Sequence, residues 1–159
     1  MAMEINIREW QRGDLAGIQK AWLEFCRQAT RSDMRLKPDC EVAMTEWLAY
    51  RFKDPGAFGF IAESNRKTAG FLIGRVGDWE SAPPVIEPRK LGIIDAVYVN
   101  LEFRRRRIGI RLVERALQTM RDRHAVAVET VYDAWNDDSA GIWRRAGFAP
   151  WMVHGYRML

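Results

Sequence analysis

The sequence predicts an α/β (α+β) fold in one domain spanning residues 1–159: a mixed, mostly antiparallel central sheet flanked by about four helices. Three observations lead there. Short apolar or alternating runs bounded by turn residues mark strands, and apolar residues spaced three and four apart mark helices. The two kinds interleave in the order β-α-α-β-β-β-α-β-α-β, without internal repeat or linker. The length of 159 residues is that of one domain with a core of its own.

Residues 4–10 alternate loosely through Ile5 and Ile7 and end in Trp10, a first strand. Asp14 then precedes Leu15, Ile18, Ala21, Trp22 and Phe25, a helical stripe for which Asp14 is the expected N-cap. After the polar stretch TRSDMRLKPDC, a second helix carries Ala43, Trp47, Leu48 and Phe52 and stops at Asp54-Pro55-Gly56. AFGFIAES (57–64) and TAGFLIGRV (68–76), joined at Asn65-Arg66-Lys67, read as a hairpin. The Pro-containing excursion 77–90 is long enough to be functional. LGIIDAVYV (91–99) is almost continuously apolar, as in a strand buried on both faces. Ile108, Leu112, Val113, Ala116, Leu117 and Met120 form the clearest helical stripe. A strand at 125–135 follows, then a short helix capped by Asn136 or Asp137 and ended by Gly147, and a final extended segment, WMVHGYRML.

Composition excludes several classes. No apolar run reaches the ~20 residues of a membrane span, and the start MAMEINIREW lacks a signal-peptide core, so a cytoplasmic location is expected with no membrane partner. Cys26 and Cys40 have no metal-ligand spacing and only His124 and His154 to join them, so they read as ordinary thiols and no metal is expected. A net charge of +4 suits an anionic ligand but is well short of a dedicated nucleic-acid binder.

One feature runs against local physics. Arg104, Arg105, Arg106 and Arg107 stand immediately ahead of the 108–120 helix, where the helix dipole favours anions. Free amides at a helix start, arginines and a glycine at Gly109 together suit a bound phosphate. The spacing is neither a Walker loop nor a dinucleotide fingerprint. A simply solvated loop and a basic nucleic-acid patch are the other readings.

The surrounding residues resemble a family. VYVNLEFRRRRIGIRLV is similar to the acetyl-CoA motif of the GNAT family of N-acetyltransferases: Arg or Gln, two free positions, Gly, one free position, then Gly or Ala. Arg104 matches its first position and Gly109 its last; Arg107 stands where the family usually has glycine. NDDSAGIWRRAGF resembles the family's second motif, Asn-x-x-Ala-x-x-x-Tyr-x-x-x-Gly-Phe, with Asn136, Ser139, Trp143, Gly147 and Phe148 in its places. The resemblance implies a GNAT-like fold and an acetyl-CoA-dependent N-acetyltransferase acting on a primary amine, by direct attack in a ternary complex. It implies that the backbone of Val97, Tyr98 and Val99 bonds the pantetheine arm and that the amides from Arg105 through Ile108 and Gly109 to Ile110 cradle the pyrophosphate. Asn136 would contact the pantetheine, with Ser139 beside it and Trp143 near the thioester. An L-residue at Arg107 can take the right-handed helical conformation, its charge compensating for a Cβ near the phosphates.

Trp143 replaces the tyrosine that in many members protonates the departing thiolate, and an indole N–H cannot act as an acid. It reads as core or pocket wall. Water can protonate a thiolate leaving group near neutral pH, and Tyr98 and Tyr132 are candidate substitutes. Asp95, mid-strand in an apolar run, matches the acidic position that serves similar enzymes as base or as anchor of the acceptor's ammonium; the other reading is a structural partner for an arginine. By analogy the acceptor pocket, for a small-molecule or peptide amine, comes from the 30–40 loop and the 77–90 excursion, with Asp33, Asp39, Glu80 and Glu87 as charges and Trp79 as lining. Two alternatives stand beside the enzyme: a CoA-binding protein with little catalysis, and a small basic nucleic-acid-binding domain. Similar proteins are often homodimers.

Overall fold

The computed structural model describes residues 4–29 and 33–159. Among these, the elements are β1 (Asn6–Glu9), α1 (Leu15–Ala29), α2 (Cys40–Lys53), β2 (Ala57–Ser64), β3 (Lys67–Trp79), β4 (Arg89–Val99), α3 (Ile108–Asp122), β5 (Ala127–Thr130) and α4 (Asp137–Arg145). Single turns of 3-10 helix at Arg12–Asp14 and Leu101–Phe103 introduce α1 and follow β4. The strands lie in chain order across one open sheet, all antiparallel except the β4–β5 pair, which α3 bridges. This is the expected mixed, mostly antiparallel architecture with four flanking helices.

Side-chain alternation divides the core between the two faces. Phe60, Ala62, Leu72 and Ile94 point towards Leu112, Val113, Ala116 and Met120 of α3 and Trp143 of α4. Their sequence neighbours Ile61, Phe71 and Ile73 point the other way, onto Ile18 of α1 and Leu48 of α2. Strand β2 turns into β3 through two residues, Asn65 and Arg66, both at positive φ (49° and 63°), the geometry of a type I′ hairpin turn.

Four local expectations need correction. The final segment, 151–159, joins no strand and is exposed along its length. The strand expected at 125–135 covers only Ala127–Thr130, because its chain diverges from β4 beyond that point. The two ends of the 77–90 excursion, 77–79 and 89–90, belong to the strands of a long hairpin, leaving residues 80–88 as the connection. Asp14 does not cap α1: its carboxylate accepts from the Gln11 amide at 2.6 Å and from both terminal nitrogens of Arg8 at 2.8 and 2.9 Å, tying β1 to the first turn. Arg8 holds the Asp14 carboxyl below the usual carboxylate range.

Candidate functional site

Strand β4 is the axis of the site, and its register explains why. Opposite β3, Ala96 pairs with Ile73 and Ile94 with Gly74, so Asp95 is an extra, unpaired residue: a β-bulge. Because of it, Asp95 and Ala96 lie on the same, α1–α2 side of the sheet, whereas Ile94 and Val97 point to the α3 side. On the other edge, β4 pairs with β5 only from Leu91–Ala127 to Ile94–Thr130. From Asp95 onwards the two strands part, leaving that edge of Val97–Val99 without a β5 partner. The strand is thus fully buried only in its first half, at Leu91, Gly92 and Ile94; Asp95–Val99 are half-buried, contrary to a strand buried throughout on both faces.

The β4 chain leads into the arginine loop. Asn100 caps the following turn by accepting from Leu101 N–H at 3.0 Å, and Arg104 folds back so that its Nε donates to the Val99 carbonyl at 3.2 Å. Arg105 and Arg107 both have positive φ (61° and 60°) and Arg106 between them does not. Alternation of φ sign in successive residues can turn their amides to one concave side, as in an anion-binding nest. The loop opens into α3, whose N-cap Arg107 makes no side-chain cap bond and whose first turn holds no acidic residue. The first intrahelical bond there is from Arg111 N–H to the Arg107 carbonyl, so the amides of Ile108, Gly109 and Ile110 have no helical acceptor. Helix α4 is the contrast: Asn136 Oδ1 accepts from Ser139 N–H at 3.1 Å, with Asp137 and Asp138 in the first turn.

Arg107 therefore departs from its expected conformation. It is left-handed, which explains why glycine suits this position: an L-residue there costs about 1–2 kcal/mol. Glycine loosens the unfolded chain and returns part of that gain. Arg107→Gly is accordingly expected to stabilise the protein by about 0.5–1 kcal/mol, raising the thermal midpoint by roughly 1–4 °C in a denaturation scan. Gly109 also has a packing role beyond the one its sequence suggested: a Cβ there would come within 3.3 Å of Ile142 Cδ1 and 3.6 Å of Val99 Cγ2, so its smallness seats α3 against α4 and β4.

The second motif forms a connected chain. Trp143, 3% exposed, donates its indole N–H to Ser139 Oγ at 3.0 Å, and Ser139 is the residue that Asn136 caps. The Trp143 ring stacks on Tyr132 at 6.2 Å and meets the Phe148 edge at 5.2 Å. Gly147 ends α4 at φ 85°, as expected of a C-terminal glycine. Tyr98 lies across the sheet, stacked on Phe71 at 5.5 Å.

On the α1–α2 side, Asp95 stands between two arginines. Arg51 Nε is 3.4 Å from one carboxylate oxygen and Arg75 Nε 3.5 Å from the other; Arg51 also bonds Asp54 at 3.1 Å. Oδ2 of Asp95 and both Nε atoms are buried without hydrogen-bond partners. Burial pushes the Asp95 carboxyl above its ordinary value, and the charges of Arg51 and Arg75 offset this only in part. Asp95 lines a cavity of about 480 Å³ together with Trp22, Leu23, Met44, Trp47, Cys26, Cys40 and the segment Arg35–Lys37. Neither Cys26 nor Cys40 is joined in a disulfide, and burial pushes the Cys26 thiol up.

The predicted acceptor residues divide. The 30–40 loop does reach this cavity, through Arg35, Leu36 and Lys37, but Asp33, Asp39, Trp79, Glu80 and Glu87 are not among its lining residues. Asp33 instead accepts from Tyr156 Oη at 2.6 Å, and Trp79 packs at 6.1 Å on Trp151, with Arg89 over both rings. The C-terminal segment thus straps the β3–β4 hairpin to the 30–40 loop. Arg51, Arg75 and the two tryptophans of the cavity were not singled out as site residues. The signal for Arg75 was its place in the apolar run TAGFLIGRV; Trp22 and Trp47 read as ordinary helix core.

Among the described residues no group of three or more His, Cys, Asp or Glu is placed to hold a metal, and no helix is long and apolar enough to cross a membrane. Comparison with curated proteins finds no match. Solved structures do share the fold. A mutant protein from Bacillus halodurans superposes with a TM-score of 0.85 at 15% identity, over 97% of this chain and 99% of its own. An aminoglycoside N-acetyltransferase in complex with CoA gives 0.73 at 16% identity, over 99% and 97%. A predicted acetyltransferase from Clostridium acetobutylicum, solved with acetyl-CoA, gives 0.74 at 15% identity, over 96% of each chain. The profile of the Acetyltransferase (GNAT) family matches residues 19–148, and the chain belongs to that family.

Proposed function

We propose that the protein is an acetyl-CoA-dependent N-acetyltransferase that acts on a primary amine by direct attack within a ternary complex. The observation that carries the proposal is the opening between β4 and β5 past Ile94 and Thr130, with an uncapped helix start at its end and the Asp95 cavity on the opposite face of β4. The residues suit the cofactor. An open strand edge at Val97–Val99 can bond the amides of a pantetheine arm, and the nest and free amides of Arg105–Ile110 can hold a pyrophosphate. Exposed arginines add charge-assisted bonds. Asn136 and Ser139 hold the start of α4 along the other wall, and Trp143 supports that wall from the core.

In this reading Asp95 takes the proton. An amine nitrogen in the cavity attacks the thioester carbonyl, the C–S bond breaks, and the amine proton passes to the Asp95 carboxylate, directly or through water. Water protonates the departing thiolate, since the only N–H of the Trp143 indole is committed to Ser139 and the group is no acid. A carboxyl raised by burial is the better base, because proton transfer gains as its pKa approaches working pH.

Thiol release from acetyl-CoA across a panel of amines tests the activity, and CoA titration tests the cofactor. Saturable CoA binding without thiol release from any amine would favour a binding protein with little catalysis; no CoA binding would overturn both. Reversing charge in Arg105→Glu with Arg107→Glu is expected to raise the KM for acetyl-CoA about 10–100-fold, the loss shrinking at high salt. An unchanged KM would remove the arginines from the cofactor site.

A further inference from the structure

The Asp95 cavity carries an inference about the acceptor, which rests on reading that cavity as the acceptor site. Its lining is mostly apolar: Trp22, Leu23, Leu36, Met44 and Trp47. Its charges are unequal. Arg35 and Lys37 line it and stand exposed, and Arg51 and Arg75 bracket its Asp95, while among the described residues the only carboxylates paired with these four cations are Asp95 and Asp54.

A polycationic acceptor would bring further positive charge into this surplus. An acceptor with an anionic group meets it favourably. We propose that the acceptor is a small amino carboxylate with an apolar or aromatic body: its carboxylate on Arg35 and Lys37, its body against Trp22 and Trp47, and its amine towards Asp95. Carboxylate on guanidinium is the charge-assisted pairing that arginine favours. The same surplus of positive charge disfavours the ammonium form of the bound amine and so supplies the free base needed for attack. The cavity's size, about 480 Å³, accommodates such a molecule.

The test compares matched acceptors in the thiol-release assay: L-phenylalanine, 2-phenylethylamine, which lacks only the carboxylate, and the polycation spermidine. L-phenylalanine is expected to have a kcat/KM about 10–100-fold above 2-phenylethylamine, carried mainly by KM, with spermidine poorest. In Arg35→Ala with Lys37→Ala the ratio between the first two should shrink to within a few-fold. A preference for spermidine or 2-phenylethylamine, or a ratio that survives the double substitution, overturns the proposal. Binding is read separately, by quenching of tryptophan fluorescence in the presence of CoA. Quenching by L-phenylalanine but not by 2-phenylethylamine, with no thiol released from any amine, upholds the ligand class and fails the acetyl transfer. Absence of quenching by L-phenylalanine fails the ligand class whatever the rates.

Discussion

Asp95→Asn is expected to lower kcat/KM for a good acceptor by about 10²–10⁴-fold without lowering stability at neutral pH. The first half follows from the loss of the carboxylate proposed to take the amine's proton. The second half follows from linkage. Burial raises the folded-state pKa of Asp95 above its unfolded value despite Arg51 and Arg75, so folding favours the protonated form. That preference stabilises the fold below the ordinary carboxyl range and is lost as pH rises through the raised pKa. Asparagine mimics the neutral form and does not ionise. The variant's thermal midpoint should therefore match or exceed that of the natural protein at pH 7, with the gap closing in acid. Unchanged turnover would remove Asp95 from catalysis. A marked fall in midpoint at pH 7 would show that the arginine-bracketed carboxylate is chiefly a structural clamp.

Trp143→Ala is expected to act on the fold. The side chain is buried in the core cluster, between Tyr132 and Phe148, and joins α4 to the α3 side of the sheet. Truncating a buried tryptophan costs about 3–5 kcal/mol, or roughly 6–20 °C in thermal midpoint for a chain of this size. Trp143→Phe separates this from chemistry. It keeps an aromatic ring in the core while removing the indole N–H that bonds Ser139 and part of the ring volume, so thiol release should stay within a few-fold of the natural protein. A loss comparable to that of Asp95→Asn would mean that the indole N–H acts in the reaction.

The two motifs illustrate what local pattern can carry. A helix start needs its amides satisfied, so four arginines ahead of Ile108 suited an anionic partner, with a solvated loop as the other reading, and Asn136 at the next helix start was legible as a cap for the same reason. The β-α-α-β-β-β-α-β-α order followed from residue period alone, because each face of the sheet must alternate and each helix must present a stripe. The last expected strand failed on those grounds too. WMVHGYRML has an extended composition, but whether it pairs depends on a neighbouring edge, and its aromatic residues found Trp79 and Asp33 instead.

By itself, then, the sequence determined the fold class, the basic helix start and the two stretches on either side of the cleft, since these rest on period, capping and charge between near neighbours. The tertiary structure decided what depends on residues far apart in the chain. The bulge that turns Asp95 onto the α1–α2 face is a matter of register between β3 and β4. The bracket of Arg51 and Arg75 brings α2, β3 and β4 to one point, and it sets the charge around Asp95. The left-handed turn at Arg107, which gives the family's glycine its reason, is imposed by how β4 must hand its chain to α3.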